Sequence, residues 1–235
     1  MKTKLAIIFA LCVLAFPGNA AAQDGGSINV EGIEVHLPDL NNPRDQEKLK
    51  ERAKQCVKTM NSYITSMTKQ AERDGRGEMH PTMDERRDFR KAALTCFLNN
   101  GDSIILEGVK TAPPLMEIST KRGSSITYNT RPVKQYFTNL IRLITSGRYT
   151  ELKITSSDIG NMDCTNIQQV GSRYQCIVCF RQEFIGRRGE VTAIHDHDTK
   201  CVTVWFEVIH TQWGDEVEPR LGDTKVTETD GTTRN

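Results

Sequence analysis

Beyond its first 22 residues the chain has no apolar run near the roughly 20 residues that a membrane helix needs, so no transmembrane segment is expected there. It also lacks a bias of charge: 31 basic residues stand against 30 acidic ones. Nucleic-acid binding normally shows as a strongly basic domain or stripe, so no nucleic-acid partner is expected. Glu85-Arg86-Arg87 and Arg187-Arg188 read as solvated surface. No G-x-x-x-x-G-K-[ST] loop, H-E-x-x-H helix or G-x-S-x-G elbow occurs, which removes the phosphate cradle, the zinc protease and the hydrolase elbow. Ser156, Ser157 and the other serines have no base at a recognisable spacing, so nucleophilic catalysis has no support and no cofactor is expected. Internal repeats and low-complexity tracts are also missing.

What is present begins with a leader. Lys2 and Lys4, an apolar run over residues 5–16, and Ala20-Ala21-Ala22 before Gln23 have the form of a signal peptide over residues 1–22. The expected location is periplasmic or extracellular. Cys12 follows Ala10 and Leu11, a poor match to a lipid-anchoring site. Loss of the leader takes away two lysines, leaving 29 basic against 30 acidic residues on about 213, enough chain to bury a real core.

The mature segment holds Cys56, Cys96, Cys164, Cys176, Cys179 and Cys201, and in an exported chain such thiols are disulfide candidates. Cys56 belongs to a helical stripe of Leu49, Ala53, Met60, Ile64, Met67 and Ala71, started by Asn42-Pro43. A second helix starts at the capping box Thr82 to Glu85, carries Phe89, Ala92, Ala93, Cys96 and Phe97, and stops near Asn99-Asn100-Gly101. An antiparallel pair of these helices brings Cys56 and Cys96 to similar height, at about 1.5 Å of rise per residue, so a Cys56–Cys96 bridge is the first disulfide expected. Cys176-Ile177-Val178-Cys179 lies in a strand pattern, where residues three apart face opposite ways, so it is a weak metal or redox motif. A hairpin turning over residues 187–189 pairs residues whose numbers sum to about 375 or 377. That register favours Cys176 with Cys201 and Cys164 with Cys179; Cys164 with Cys176 and Cys179 with Cys201 is the alternative.

The expected organisation is a signal peptide over 1–22, a mobile start plus helical hairpin over 23–102, a cone-like α+β domain over 103–230, and a frayed tail over 231–235. Strands are expected over 103–109, 115–120, 125–129, 151–154, 173–185, 190–195, 201–212 and 224–229. An amphipathic helix opened by Pro132 carries Val133, Tyr136, Phe137, Leu140, Ile141 and Ile144 and is ended by Gly147. The class is therefore α+β: an N-terminal helical hairpin, then a curved, mainly antiparallel sheet packed on an amphipathic helix.

The helix over 132–146, the strand ending Phe180-Arg181-Gln182-Glu183-Phe184-Ile185-Gly186, the stretch Asp198-Thr199-Lys200-Cys201-Val202-Thr203-Val204 and the segment Leu221-Gly222-Asp223-Thr224-Lys225-Val226-Thr227-Glu228-Thr229 carry a family likeness. Over roughly residues 103–230 the chain resembles exported bacterial proteins of the nuclear transport factor 2-like, cone-shaped superfamily. The resemblance implies a curved sheet wrapping helices around a pocket. It leaves the activity open, because that superfamily includes enzymes, binding modules and assembly domains.

In His195-Asp196-His197-Asp198 two imidazoles share one side of an extended segment and two carboxylates the other. His195 and His197 suit a divalent metal, although two ligands are not a site; a polar stretch at a hairpin edge is the plainer reading. Tyr136, Phe137, Tyr174, Phe180, Trp205, Phe206 and His210 are candidates for the lining of an apolar ligand pocket, with the ordinary core as the competing reading. Trp213-Gly214-Asp215 and Leu221-Gly222-Asp223 read as tight turns. The favoured function is a non-enzymatic exported binding or assembly module for a small apolar ligand or a protein partner, including a second copy of the chain. The alternatives are a pocket enzyme of the isomerase, dehydratase or hydrolase kind, and metal capture through His195 and His197. An enzyme should place at least two titratable groups inside one pocket.

Overall fold

The computed structural model describes residues 27–30, 33–36, 39–106, 109–157, 162–170, 173–211, 214–230 and 232–233. The leader lies outside the described residues, as do the side chains of His210 and of the stretch through Trp213 and Asp215. The segment ahead of the first helix pairs Ser27–Val30 with Ile33–His36 in a short hairpin.

Helix α1, Pro43–Thr68, starts where its sequence directs: the Asn42 side chain accepts the Arg44 N–H at 3.0 Å and Pro43 takes a first-turn position. Its buried stripe is Leu49, Ala53, Val57, Met60, Ile64 and Met67. Val57 takes the central place expected for Cys56, which is half-buried beside it. Helix α2, Met83–Thr95, has the expected capping box, with Thr82 and Glu85 satisfying each other's backbone N–H groups. It also closes α1: the buried Arg86 guanidinium donates to the carbonyls of Met67 and Lys69, two of the acceptors that a helix end leaves without partners. Helix α3, Val133–Thr145, follows Pro132 and buries Val133, Tyr136, Phe137, Leu140 and Ile141.

Two short hairpins stand apart, Glu72–Arg73 with Met79–His80 and Ile105–Leu106 with Val109–Lys110, the latter in place of the single strand expected over 103–109, and one nine-stranded sheet carries the rest of the fold. Its strands are β1 (Leu115–Arg122), β2 (Ser125–Pro132), β3 (Glu151–Ser157), β4 (Asp163–Cys164), β5 (Gln168–Val170), β6 (Arg173–Arg188), β7 (Val191–Thr211), β8 (Gly214–Thr229) and β9 (Thr232–Thr233). The central order is β6-β7-β8-β1-β2, with β3, β4 and β5 along the other edge of β6 and β9 on β8. Every pairing is antiparallel except β8 with β1. The architecture is the expected α+β class.

Even-numbered residues of β6 and β7 share the inner face, because Tyr174 pairs with Phe206 and Gln182 with Asp198. Cys176, Val178 and Phe180 therefore meet Val202, Val204 and Phe206 in one core with the stripes of α1 and α3 and with Phe97 from the end of α2. Burying each large apolar side chain contributes about 1.5–3 kcal/mol. The core runs without a break from the helical pair into the sheet.

Further expectations are corrected. The strands expected over 190–195 and 201–212 are one strand, β7, because the polar residues between them keep the in-and-out alternation. Leu221-Gly222-Asp223 is inside β8 and not a turn; a Cβ on Gly222 would lie 2.9 Å from the Trp205 indole nitrogen, so glycine makes room for that ring. The hairpin register sums to 380, because the turn falls at Gly189-Glu190 and a bulge follows Gly186. Cys179 consequently faces Cys201 and forms a disulfide with it, while the Cys164 and Cys176 sulfurs lie 3.6 Å apart. The neighbours are those of the alternative arrangement, in place of Cys176 with Cys201 and Cys164 with Cys179, although Cys164 and Cys176 are free thiols in contact rather than a bridge. Cys176 faces in and Cys179 out, as their spacing requires. The bridge expected between Cys56 and Cys96 is not formed: they meet as two free thiols with Cys56 as the hydrogen-bond donor, which raises the pKa of Cys56 and lowers that of Cys96.

Candidate functional site

Along the inner face of β7 the side chains change from Val202 and Val204 to Lys200, Asp198 and Asp196, all three buried. Across the register β6 offers Phe180, Gln182 and Phe184 opposite them. Buried charge is costly unless paired and hydrogen-bonded, and two of the three are. Asp198 accepts the hydroxyls of Ser119 on β1 at 2.6 Å and Thr229 on β8 at 2.9 Å. Its other oxygen lies 4.0 Å from the Lys200 ammonium. Lys200 donates to the Gln182 carbonyl oxygen at 2.7 Å, and the Gln182 amide reaches Asn61 of α1 at 3.5 Å. Burial pulls the pKa of Lys200 down, opposed by the charges of Asp198 and Glu117. The network thus ties β1, β6, β7, β8 and α1 at the point where the core turns polar.

These residues form the floor of a cavity of about 390 Å³. Leu140, Leu143, Tyr149, Phe184 and Ile194 give it apolar walls. The exposed Arg142 and Arg148 and the half-buried Arg131 stand at its rim. Asp196 differs from its neighbours: among the described residues its side chain makes no hydrogen bond or ion pair. Burial first, and then the charges of Asp198 and Asp230, push its pKa up to about 6. The Tyr136 hydroxyl group completes this wall, its pKa raised by burial and then by Asp198.

Of the aromatic residues expected to line a pocket, Tyr136 does so. Phe137, Phe180 and Phe206 are core, with Phe137 in an edge-on contact with Phe97 at 5.9 Å between ring centres. Tyr174 packs half-buried against the core, and Trp205 belongs to the outer face beside Gly222. The carboxylate pair and Lys200 were missed as pocket residues. The signal that could have found them is parity, since 196, 198 and 200 continue backward the alternation of Val202, Val204 and Phe206.

His195 and His197 project from the opposite face, exposed, and are joined there by Glu183 of β6. The Glu183 Oε1 atom lies 2.8 Å from His195 Nε2 and 3.3 Å from His197 Nε2. These contacts hold the Glu183 carboxyl below its ordinary pKa, with the His195 hydrogen bond as the largest cause. The four-residue stretch is therefore two-sided, and not merely a polar hairpin edge. No protein-family model matches the chain, and no curated protein matches it.

Proposed function

We propose that the protein is an exported, disulfide-bearing binding module whose cavity takes one small, largely apolar molecule with a hydrogen-bond donor directed at Asp196. The nuclear transport factor 2-like resemblance supports a pocket-bearing sheet, and the meeting of Cys179 with Cys201 is compatible with an oxidising compartment. The observation that carries the reading is the division of labour on the floor. Asp198 and Lys200 are occupied by protein partners, whereas Asp196 is left for a ligand. The apolar walls provide the area for binding, and the carboxylate fixes orientation.

A second reading is a pocket enzyme, favoured by the Asp196 carboxyl with its pKa pushed up to about 6, close to what general acid–base work at neutral pH needs. The cavity also meets the criterion of at least two titratable groups, with Asp196, Asp198, Lys200 and Tyr136 in its lining; the reading ranks second because Asp198 is held by Ser119 and Thr229 and Lys200 by Gln182.

The test uses anilinonaphthalene sulfonate, whose rings fit the walls, whose N–H matches Asp196 and whose sulfonate matches the rim arginines. One probe per chain is expected, with binding lost in an Ile194→Trp variant that fills the cavity and keeps its far-UV circular dichroism. Binding at several weak sites, indifferent to Ile194→Trp, refutes the pocket reading.

A further inference from the structure

On the opposite face of the same strands, we propose that Glu183, His195 and His197 bind one divalent transition-metal ion, of the zinc or copper class, independently of the cavity. Three donors from two paired strands converge: Glu183 is directly opposite His197 in register, and His195 is two residues along on the same side. Their ligand atoms all lie within 4.8 Å of one another. Tetrahedral bonds of about 2.0–2.1 Å place neighbouring ligand atoms about 3.3 Å apart. The His197 Nε2 to Glu183 Oε1 separation is 3.3 Å. The His195 pair, at 2.8 Å, is a hydrogen bond that the cation replaces. The two imidazoles lie side by side with ring centres 4.5 Å apart.

The surrounding contacts are those that orient metal ligands. Metal-bound histidine commonly has a carboxylate or carbonyl on its other nitrogen, and bound carboxylates are themselves hydrogen-bonded. Here Asp230 Oδ1 lies 3.4 Å from His197 Nδ1. Asp230 also fixes the His197 backbone, accepting its N–H at 2.9 Å and donating its own N–H to the carbonyl at 2.7 Å. Thr155 of β3 donates its hydroxyl to Glu183 Oε2 at 3.1 Å, leaving Oε1 turned to the imidazoles. Two imidazoles and one carboxylate suit zinc, copper or nickel better than calcium or magnesium, which prefer all-oxygen sets. The half-exposed setting leaves a coordination position to water.

The experiment is calorimetric titration of the purified, untagged protein with zinc chloride, paired with electron paramagnetic resonance of the copper(II) form. One ion per chain and nitrogen coupling from two imidazoles are expected. His195→Ala and His197→Ala should each weaken zinc binding at least tenfold, and Asp230→Asn about 10–100-fold with unchanged stoichiometry. No zinc binding by the unaltered protein, or binding that survives the His195→Ala/His197→Ala double variant, overturns the proposal. Because these side chains are on the surface, a matching urea midpoint for each variant shows that the fold is retained.

Discussion

Replacing Lys200 by methionine tests the polar floor of the cavity most directly. The side chain keeps its length and apolar stem but loses the ammonium 4.0 Å from Asp198 and the hydrogen bond to Gln182. At an effective dielectric constant of about 20, two unit charges at that distance attract by about 4 kcal/mol. Removing one member of a buried pair leaves the other uncompensated, at a cost of about 3–5 kcal/mol. For Asp198 the hydroxyls of Ser119 and Thr229 remain, so the lower half of that range is expected. In a chain of this size such a loss lowers Tm by roughly 6–16 °C, at about 2–4 °C per kcal/mol. Asp198→Asn leaves the buried Lys200 with the charge of Glu117 alone to offset it and should also destabilise. The double variant carries no buried charge at either position and should recover much of the loss. Urea unfolding of all four proteins at pH 7 closes the cycle, with an expected coupling of about 2–4 kcal/mol. Additive single effects, within about 0.5 kcal/mol, would refute the view that these two groups neutralise each other.

Two further predictions concern Asp196 and the cysteines. The folded pKa of Asp196 is raised from 3.8 to about 6, so the folded state holds its proton more tightly than the unfolded chain does. Its contribution to stability is full below pH 3.8 and is lost as pH rises through 6, about 3 kcal/mol in all at 1.36 kcal/mol per pH unit. With a chelator present, Asp196→Asn should match the parent near pH 4 and exceed its stability at pH 8; a difference that does not change with pH contradicts the assigned environment. Peptide mapping of the non-reduced protein should find Cys179 joined to Cys201 and, after mild oxidation, Cys164 joined to Cys176 and Cys56 to Cys96, the thiols that already meet; a peptide joining Cys176 to Cys201 contradicts the register.

The helices were legible because their signals are local. Asn42-Pro43 and the Thr82 to Glu85 box each satisfy backbone groups within one turn, so nothing distant was needed to place them. The long hairpin was not legible in the same way. Its register depends on where the turn closes and on a bulge after Gly186, and a shift from 377 to 380 exchanges Cys176 for Cys179 opposite Cys201. Aromatic content misdirected the pocket assignment, because Phe137, Phe180 and Phe206 have large areas to bury and the core takes them first.

The polar centre follows from a different constraint. In β7 the inner positions run from Phe206 through Val204 and Val202 to Lys200, Asp198 and Asp196 without a change of parity, so burial of the first three also commits the last three to the inside. The charges of Asp198 and Lys200 are tolerated where Ser119, Thr229 and Gln182, itself in reach of Asn61, meet them from four other elements. None of these partners is near them in sequence. The same parity turns His195 and His197 outward onto Glu183. One strand thus presents a buried charged face and an exposed imidazole face, and a one-residue slip would exchange them and break both sets of contacts together.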